Sequence, residues 1–336
     1  MSRALREAGI AERVVHSGQH YDHAMSGRFL EELGIAIDAN LEAGSGSHAQ
    51  QTAQIMSRFE TYLAGLVTPT DAILVYGDTN STVAAALVAA KLHVPLVHVE
   101  AGLRSYNRRM PEEVNRVVTD HLSQLLFCSS EQGQTNLARE GLTEGVHVTG
   151  DVMFDAFRHF SSRITPGATA ARILGEARTG FVLMTLHRPS NTDDPTFLPR
   201  LRTVLGRIDM PVIWPVHPRF RAAVEAADLP AHVHRIEPVG YFEMLDLLDG
   251  CGHVITDSGG LQKEAYWARR ACITLRDETE WVETLEGCWN VLANLDDNVP
   301  ALLARTPKTE WTPQYGDGQA CARIARLLRD GVERRS

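Results

Sequence analysis

Short apolar runs rich in β-branched residues alternate with longer amphipathic segments along the whole chain, and this alternation restricts the fold more than any other feature. The runs cover residues 13–16, 72–76, 95–99, 124–127 and 146–149, and then 181–185, 211–214, 253–256, 271–275 and 289–292. Short runs of this kind are typical of parallel strands buried on both faces. Segments 82–91, 113–121, 196–208 and 261–269 carry apolar residues at helical spacing. The sequence therefore predicts an α/β protein with two doubly wound, Rossmann-like parallel-sheet domains.

The length of the chain supports two domains. Its 336 residues exceed the roughly 100–200 typical of one domain. Turn residues around Pro166 separate a helical segment from a fresh helix and strand. We expect an N-terminal domain over residues 1–164, a C-terminal domain over 165–318 and a final helix over 319–336, whose packing partner the sequence does not decide.

Composition excludes several classes of protein. With 44% hydrophobic and 22% charged residues, the chain has the balance of an ordinary globular protein. Its five cysteines are scattered and lack C-x-x-C spacing, which argues against a disulfide framework and a zinc site. No apolar run approaches the roughly 18 residues of a membrane span, and the net charge of −9 disfavours a nucleic-acid surface. We expect a cytoplasmic protein with neither a membrane nor a nucleic acid as partner.

Polar residues follow the strands of the first half at the sheet edge where open α/β folds bind ligands. Asp78 follows one predicted strand, and Asn80 or Ser81 is expected to cap the next helix. Glu100 and Arg104 follow the neighbouring strand. A capped turn and an ion pair are the structural alternatives for these two segments.

The next helix is predicted to start at Pro111, which suits the first helical position. Glu112 and Glu113 would lie in its first turn, where the helix dipole favours acids; this structural explanation is strong for Glu113 and weaker for Glu112. Asp78, Glu100 and Glu112 are then expected to converge on one sheet edge. Such clusters can separate carboxyl pKa values into acid and base roles.

In the second half, His187 and Arg188 end one predicted strand, and His217 ends the next. Imidazole transfers protons near neutral pH, and Arg binds phosphate well. The small residues 258–260 at a helix start would leave backbone N–H groups open to phosphate. Glu264, six positions after Ser258, would lie on the second turn within reach of ribose hydroxyls. Structural histidines and a simple Ser-capped helix are the alternatives. Neither an NTPase loop nor a dinucleotide fingerprint is present.

Several motifs occur in a fixed order over nearly the whole chain. They are residues 18–22 (GQHYD), 77–79 (GDT), 98–104 (HVEAGLR), 111–116 (PEEVNR), 187–188 (HR) and 257–260 (DSGG). This ordered set resembles the non-hydrolysing UDP-N-acetylglucosamine 2-epimerases. The resemblance implies two Rossmann-like domains of the GT-B type, a homodimer, and a reaction that needs neither metal nor redox cofactor.

The resemblance also assigns residues to roles. The implied catalytic residues are Asp78, Glu100, Glu112 and His187. The UDP-binding motif is matched by Ser258, Gly259, Gly260 and Glu264, and further candidates for substrate binding are Arg104, Arg116, Arg188, His217 and Arg276. Gln19 and His20 match a segment that, in some family members, helps bind a second, activating UDP-sugar.

The implied reaction interconverts UDP-N-acetylglucosamine (UDP-GlcNAc) and UDP-N-acetylmannosamine (UDP-ManNAc). UDP leaves C1 as C2 loses its proton, and the resulting 2-acetamidoglucal is reprotonated on the opposite face before UDP returns. Trp281 and Val282 stand where many family members have Arg-Pro, which resembles the branch acting on UDP-2,3-diacetamido-2,3-dideoxyglucuronate. A GT-B glycosyltransferase would share this architecture and UDP site, and a protein that binds UDP-sugar without turnover would share the binding residues.

The N-terminus departs from the family pattern. Family members begin with a strand and a G-T-R-P-x-x-I-K loop that supplies an Arg and a Lys to the site, whereas Met1 falls where the first helix is already under way. We therefore expect the first strand of the N-terminal domain to be missing, which would expose neighbouring strand edges.

Overall fold

The computed structural model describes residues 1–19, 32–175 and 179–333. Contacts divide the chain into two compact units. Unit 1 comprises residues 1–156 and 315–336, and unit 2 comprises residues 157–314. Unit 1 is therefore built from both ends of the chain, whereas unit 2 is continuous.

Unit 1 alternates strands and helices, as the sequence predicts. Its elements are α1 (Ser2–Glu7), β1 (Val15–His16), β2 (Ala39–Asn40), α2 (His48–Ala64), β3 (Ile73–Tyr76), α3 (Asn80–Lys91), β4 (Leu96–Val99), α4 (Pro111–Leu122), β5 (Leu125–Cys128), α5 (Glu131–Arg139), β6 (Val146–Val148), α6 (Val152–Ser161, which continues into unit 2) and the late helix α14 (Ala320–Glu333). Strands β3 to β6 form a parallel sheet in sequence order, and β1 pairs in parallel with β2. The expected absence of a first strand stays a prediction.

Small residues bring α3 close to the unit 1 sheet. Ala84, Ala86 and Ala89 are fully buried, and they pack in one cluster with Ile73 and Val75 of β3. The cap of α3 was predicted wrongly. The Thr79 side chain, rather than that of Asn80 or Ser81, accepts the Thr82 amide.

The final helix, α14, packs in unit 1, which the sequence left undecided. Ile324 is fully buried in a cluster with Val97 and Val99 of β4 and Phe127 of β5. Asp155 of α6 also accepts the first amides of α14. The returning chain thus completes the hydrophobic core of unit 1.

Unit 2 contains one six-stranded parallel sheet, with strand order β12-β11-β10-β7-β8-β9. Its elements are α7 (Ala168–Leu174), β7 (Val182–Thr185), α8 (Pro189–Thr192), α9 (Phe197–Leu205), β8 (Val212–Pro215), α10 (Pro218–Ala226), β9 (Val233–Ile236), α11 (Tyr241–Gly250), β10 (His253–Thr256), α12 (Gly259–Trp267), β11 (Ala271–Leu275), a 3₁₀ segment (Val282–Cys288), β12 (Asn290–Ala293) and α13 (Val299–Leu303). Only β9 of this sheet is absent from the predicted strands.

Strand register sets which loops meet at the edge of each sheet. In unit 1, Tyr76 at the end of β3 pairs with Val99 at the end of β4. In unit 2, Thr185 at the end of β7 pairs with Thr256 at the end of β10. The polar residues that follow each pair of strands therefore leave the sheet side by side. None of the helices in the described ranges has the length and apolar character needed to cross a membrane.

Candidate active site

Asp78 is fixed at the end of β3 by two residues of α4. Arg116 Nη2 lies 2.6 Å from Asp78 Oδ2, and the Arg116 side chain is only 2% exposed. Asn115 Nδ2 donates to the Asp78 carbonyl over 2.9 Å. The backbone and the carboxylate of Asp78 are therefore both held, so the direction of this acid is set by α4.

Glu100 lies beside the same turn. It has a φ of 67°, and its Oε2 lies 3.3 Å from the point where a Cβ on Gly77 would stand. The structure therefore brings Glu100 next to the turn that carries Asp78. Glu112 is half-buried in the first turn of α4, the helix that also supplies Asn115 and Arg116.

Glu113 holds the loop before α4. Its Oε1 accepts the Tyr106 amide and its Oε2 accepts the Ser105 amide, each over 2.9 Å. Arg116 Nη1 approaches the same carboxylate to 3.2 Å. The strong structural explanation predicted for Glu113 fits these contacts. Arg116 binds both Asp78 and Glu113.

Arg104 forms buried ion pairs, which is the structural alternative named for its segment. It is 4% exposed, and its Nε and Nη2 each lie 2.7 Å from the carboxylate oxygens of Glu140. Its Nη1 lies 2.7 Å from Asp120 Oδ2. In this structure its donors thus bind protein carboxylates.

Sequence analysis did not predict the buried pair of His98 and Asp120, which lies next to the acidic turn formed by Gly77 and Asp78. His98 and Asp120 are both 0% exposed, and His98 Nδ1 lies 2.7 Å from Asp120 Oδ1. His98 Nε2 lies 2.8 Å from the Gly77 carbonyl. Burial raises the pKa of the Asp120 carboxyl, but His98 and Arg104 outweigh that effect and hold the pKa below its usual range. A histidine within an otherwise apolar strand run was the available signal.

In unit 2, Asp257 organises the loop that carries His187. The Asp257 carboxylate is fully buried and accepts the amides of His187 and Arg188 and the Asn191 side chain, each over 3.0 Å. His187 Nδ1 lies 3.2 Å from Asp257 Oδ1. Burial alone raises the pKa of Asp257. The contacts with His187 and then with the Arg188 amide lower this pKa by more, so it lies below its usual value. The sequence indicated Asp257 only as part of a motif.

The histidines that follow β7 and β8 are neighbours. Their ring centroids lie 5.7 Å apart. His217 Nδ1 accepts the Arg219 amide over 3.2 Å and so caps α10. The His187 side chain is 39% exposed, which leaves it open to a ligand. The structure therefore brings His187 and His217 together, and Arg188 directly follows His187 in its loop.

The start of α12, which the sequence predicts to bind phosphate, has a serine cap, the structural alternative named for this segment. Ser258 Oγ accepts the Leu261 amide over 3.4 Å. A Cβ on Gly259 would lie 2.8 Å from Glu280 Oε1, and Glu280 Oε2 pairs with Arg276 Nη2 over 2.9 Å. The buried Arg276–Glu280 pair therefore lies against this helix terminus. Glu264, further along α12, is 8% exposed and hydrogen-bonds Tyr241.

The remaining candidates are Gln19 and His20. Gln19 Oε1 accepts a hydrogen bond from Ser81 Oγ over 2.7 Å, which places it beside the start of α3. His20 lies outside the described residues. Across the described ranges, no group of three or more His, Cys, Asp or Glu side chains could hold a metal ion.

Comparison with known proteins agrees with these features. Residues 3–329 match the family model described as UDP-N-acetylglucosamine 2-epimerase. A UDP-2,3-diacetamido-2,3-dideoxy-D-glucuronate 2-epimerase of Pseudomonas aeruginosa is 43% identical over 96% of this chain and 93% of the relative. A UDP-N-acetylglucosamine 2-epimerase of Methanococcus maripaludis is 37% identical over 98% of this chain and 94% of the relative.

A solved structure shares the fold. The crystal structure of Methanocaldococcus jannaschii UDP-GlcNAc 2-epimerase in complex with UDP-GlcNAc and UDP superposes with a TM-score of 0.89 and 36% identity, covering 98% of this chain and 94% of that one. The predicted α/β fold with GT-B-type parallel-sheet domains is confirmed. With its acidic turn in unit 1 and its His187 loop and α12 terminus in unit 2, this chain belongs to the UDP-N-acetylglucosamine 2-epimerase family and is a UDP-sugar 2-epimerase.

Proposed function

We propose that this chain inverts C2 of a UDP-2-acetamido sugar, and that UDP-GlcNAc and UDP-ManNAc are its substrate pair. The observation that carries the proposal is the fixed acidic turn, in which Asp78 is held by Arg116 and Asn115 beside Glu100. The M. maripaludis relative, 37% identical over 98% of this chain, supports this choice of substrate.

The chemistry explains why acids and a diphosphate pocket are both needed. C2 of the sugar is not adjacent to a carbonyl, so removal of its proton gives no stabilised enolate. Departure of UDP from C1 with loss of the C2 proton forms 2-acetamidoglucal instead. A proton delivered to the opposite face of C2 and the return of UDP to C1 then give the epimer. Proton carriers must therefore be placed near C2, and UDP must be retained throughout.

We assign UDP retention to unit 2. The amides at the start of α12, around Ser258, Gly259 and Gly260, are the proposed diphosphate donors, because a helix terminus favours anions. Arg188, Arg276 and His217 would add cationic or neutral donors, and Glu264 would accept from ribose hydroxyls. His187, oriented by Asp257, would stabilise the departing phosphate oxygen.

We assign proton transfer to unit 1. Asp78 and Glu112 are the proposed proton carriers, and Glu100 positions the sugar or shares the acid–base work. The two contacts to Asp78 described above keep its carboxylate in one direction, which suits directed proton transfer. Arg104 and Arg116 would act through the carboxylates that they bind rather than through the sugar.

Solvent exchange tests the reaction. We expect UDP-GlcNAc recovered from D₂O to carry deuterium at C2, and Asp78→Asn and Glu112→Gln to lose most of this exchange while still binding UDP by calorimetry. Glu60→Gln, on an exposed face of α2, is the matched control and should exchange normally. A folded wild-type chain that leaves C2 unlabelled in both UDP-GlcNAc and the diacetamido sugar would sink the proposal.

The same assay distinguishes the proposed reaction from the rival activities. A GT-B glycosyltransferase would need an acceptor, whereas epimerisation proceeds with the UDP-sugar alone. A hydrolysing epimerase would release free sugar and UDP. A protein that only binds UDP-sugar would show calorimetric binding without any exchange.

UDP-2,3-diacetamido-2,3-dideoxyglucuronate is the second candidate substrate. The 43% identity to the P. aeruginosa relative favours it. So do Trp281 and Val282, which stand where many family members have Arg-Pro. The ratio of kcat/KM for the two sugars, measured by C2 exchange, decides between them.

Two further parts of the proposal concern assembly and activation. We propose a homodimer, which sedimentation equilibrium tests directly. We also propose that Gln19 and His20 help bind a second UDP-sugar. Activation of UDP-ManNAc turnover by added UDP-GlcNAc, abolished in Gln19→Ala, is the expected result.

A further inference from the structure

The buried imidazole of His98 bonds at both ring nitrogens. Nδ1 lies 2.7 Å from Asp120 Oδ1, and Nε2 lies 2.8 Å from the Gly77 carbonyl oxygen. A carbonyl oxygen can only accept a hydrogen bond, and so can an ionised carboxylate. A neutral imidazole carries one N–H and can donate to only one of the two. Both contacts are satisfied together when both ring nitrogens are protonated.

Donors other than His98 also stabilise the ionised form of Asp120. Arg104 Nη1 lies 2.7 Å from Asp120 Oδ2, and the Gly102 amide donates to the same oxygen over 3.2 Å. Guanidinium and amide groups are donors at any physiological pH. Asp120 therefore does not need to keep a proton of its own to satisfy its neighbours.

Charge balance around His98 points the same way. Among the charged and titratable groups, Asp120 contacts His98 directly, and Arg104 and the Cys128 thiol lie near Asp120. Glu140 pairs with Arg104, and His121 Nδ1 lies 4.0 Å from Glu140 Oε2. Burial, and then Asp120, raises the pKa of Cys128 to about 12, so this thiol is neutral. Arg104 shares its charge between Asp120 and Glu140, so a charged His98 would give the buried Asp120 a second cationic partner.

The acceptor on Nε2 belongs to the turn that carries the acids. Gly77 has a φ of 61° and donates its amide to the Val99 carbonyl over 3.0 Å. With His98 bound to its carbonyl, this residue is held at both ends. It directly precedes Asp78, and Glu100 lies against it.

We propose that His98 is a positioning residue kept as an imidazolium, which donates one proton to Asp120 and the other to the Gly77 carbonyl and so fixes the turn that presents Asp78. Its effect on turnover rests on the proposed epimerase function, but its protonation state does not. The two parts are therefore tested by separate measurements.

Nitrogen NMR tests the protonation state. In protein labelled with ¹⁵N-histidine at neutral pH, with His98 assigned by its disappearance in His98→Gln, both ring nitrogens are expected in the protonated range. Asp120→Asn removes the anionic acceptor, so His98 should become neutral with its remaining proton on Nε2. A wild-type His98 with one unprotonated ring nitrogen overturns the proposal.

Kinetics test the positioning role. A misplacement of about 1 Å can cost about 100-fold in rate, so we expect His98→Gln to lower kcat for C2 exchange by about tenfold to 100-fold while the calorimetric Kd for UDP stays unchanged. His93→Asn, on the exposed turn after α3, is the control and should keep wild-type kcat. An unchanged kcat in folded His98→Gln refutes the positioning role. An inactive wild type refutes the epimerase function instead, and the NMR result still stands.

Discussion

The guanidinium of Arg116 lies 2.6 Å from the carboxylate of Asp78, although 38 positions separate the two residues in sequence. The same side chain reaches Glu113, so one buried cation ties the end of β3 to the first turn of α4. The relative position of two proposed proton carriers, Asp78 and Glu112, is thereby fixed by a residue that is only 2% exposed.

Replacement of Arg116 tests this connection. Arg116→Met leaves two carboxylates without their cation, and loss of one partner from a buried ion pair typically costs about 3–5 kcal/mol. Arg116→Lys keeps the charge but cannot span both carboxylates with a planar fork, so its loss should be intermediate. Urea unfolding measures both. Arg3→Lys, in an exposed pair with Glu7, should change the free energy of unfolding by less than about 0.5 kcal/mol. Equal stability of all three variants would contradict the role given to Arg116.

Gly102 is expected to be intolerant of any side chain. Its φ is 80°, and a Cβ there would lie 2.3 Å from the Gly133 carbonyl oxygen. Gly141 has a similar φ of 82° but has nothing within 4 Å of an added Cβ. Each Gly→Ala change should cost about 1–2 kcal/mol for the left-handed backbone, and Gly102→Ala should cost about 1–3 kcal/mol more for the clash. Equal losses of the two variants in thermal unfolding would show that the backbone around Gly102 relaxes to admit a methyl group without cost.

Asp257 should make unit 2 sensitive to acid. Its folded pKa lies below the ordinary value of 3.8, so its stabilising contribution is present above that pH and is lost as the pH falls through the folded pKa. Wild-type stability should therefore drop below about pH 4, and Asp257→Asn should be less stable at pH 7 yet depend less on pH in the acid range. Unfolding by urea at a series of pH values measures this. Asp209→Asn, in an exposed loop, should retain the wild-type profile.

Ser258 should affect both stability and UDP binding. Ser258→Ala removes the cap of α12, which typically costs about 0.5–2 kcal/mol, and disturbs the amides proposed to receive the diphosphate. Ser47→Ala removes a comparable cap from α2 in unit 1 and should cost a similar amount without changing the Kd for UDP. If the two variants bind UDP equally well, the diphosphate does not bind at α12.

Local sequence patterns predicted most of the strands because each buried strand is a continuous apolar run. Strand β9 was missed because His234 and Arg235 interrupt its pattern, and β2 is only two residues long. The ion pairs and hydrogen bonds around the candidate site could not be predicted from local patterns, for a different reason. Arg104 and Glu140 are 36 positions apart, and only the folded sheet brings them within hydrogen-bonding distance. The sequence could place Asp78 and Glu100 at one sheet edge, but not the partners that hold them.

The path of the chain through unit 1 bears on how the protein is made. Ribosomes add about 5–20 residues per second, and domains generally fold as they emerge. Ile324 completes the cluster of Val97, Val99 and Phe127, and it follows all of unit 2 in the sequence. This face of the unit 1 sheet therefore stays uncovered until unit 2 has been synthesised. Unit 2, although translated later, has its whole sequence in one stretch and can finish folding first. We therefore expect unit 2 to complete its hydrophobic core before unit 1 does, the reverse of the usual N-terminal-first order.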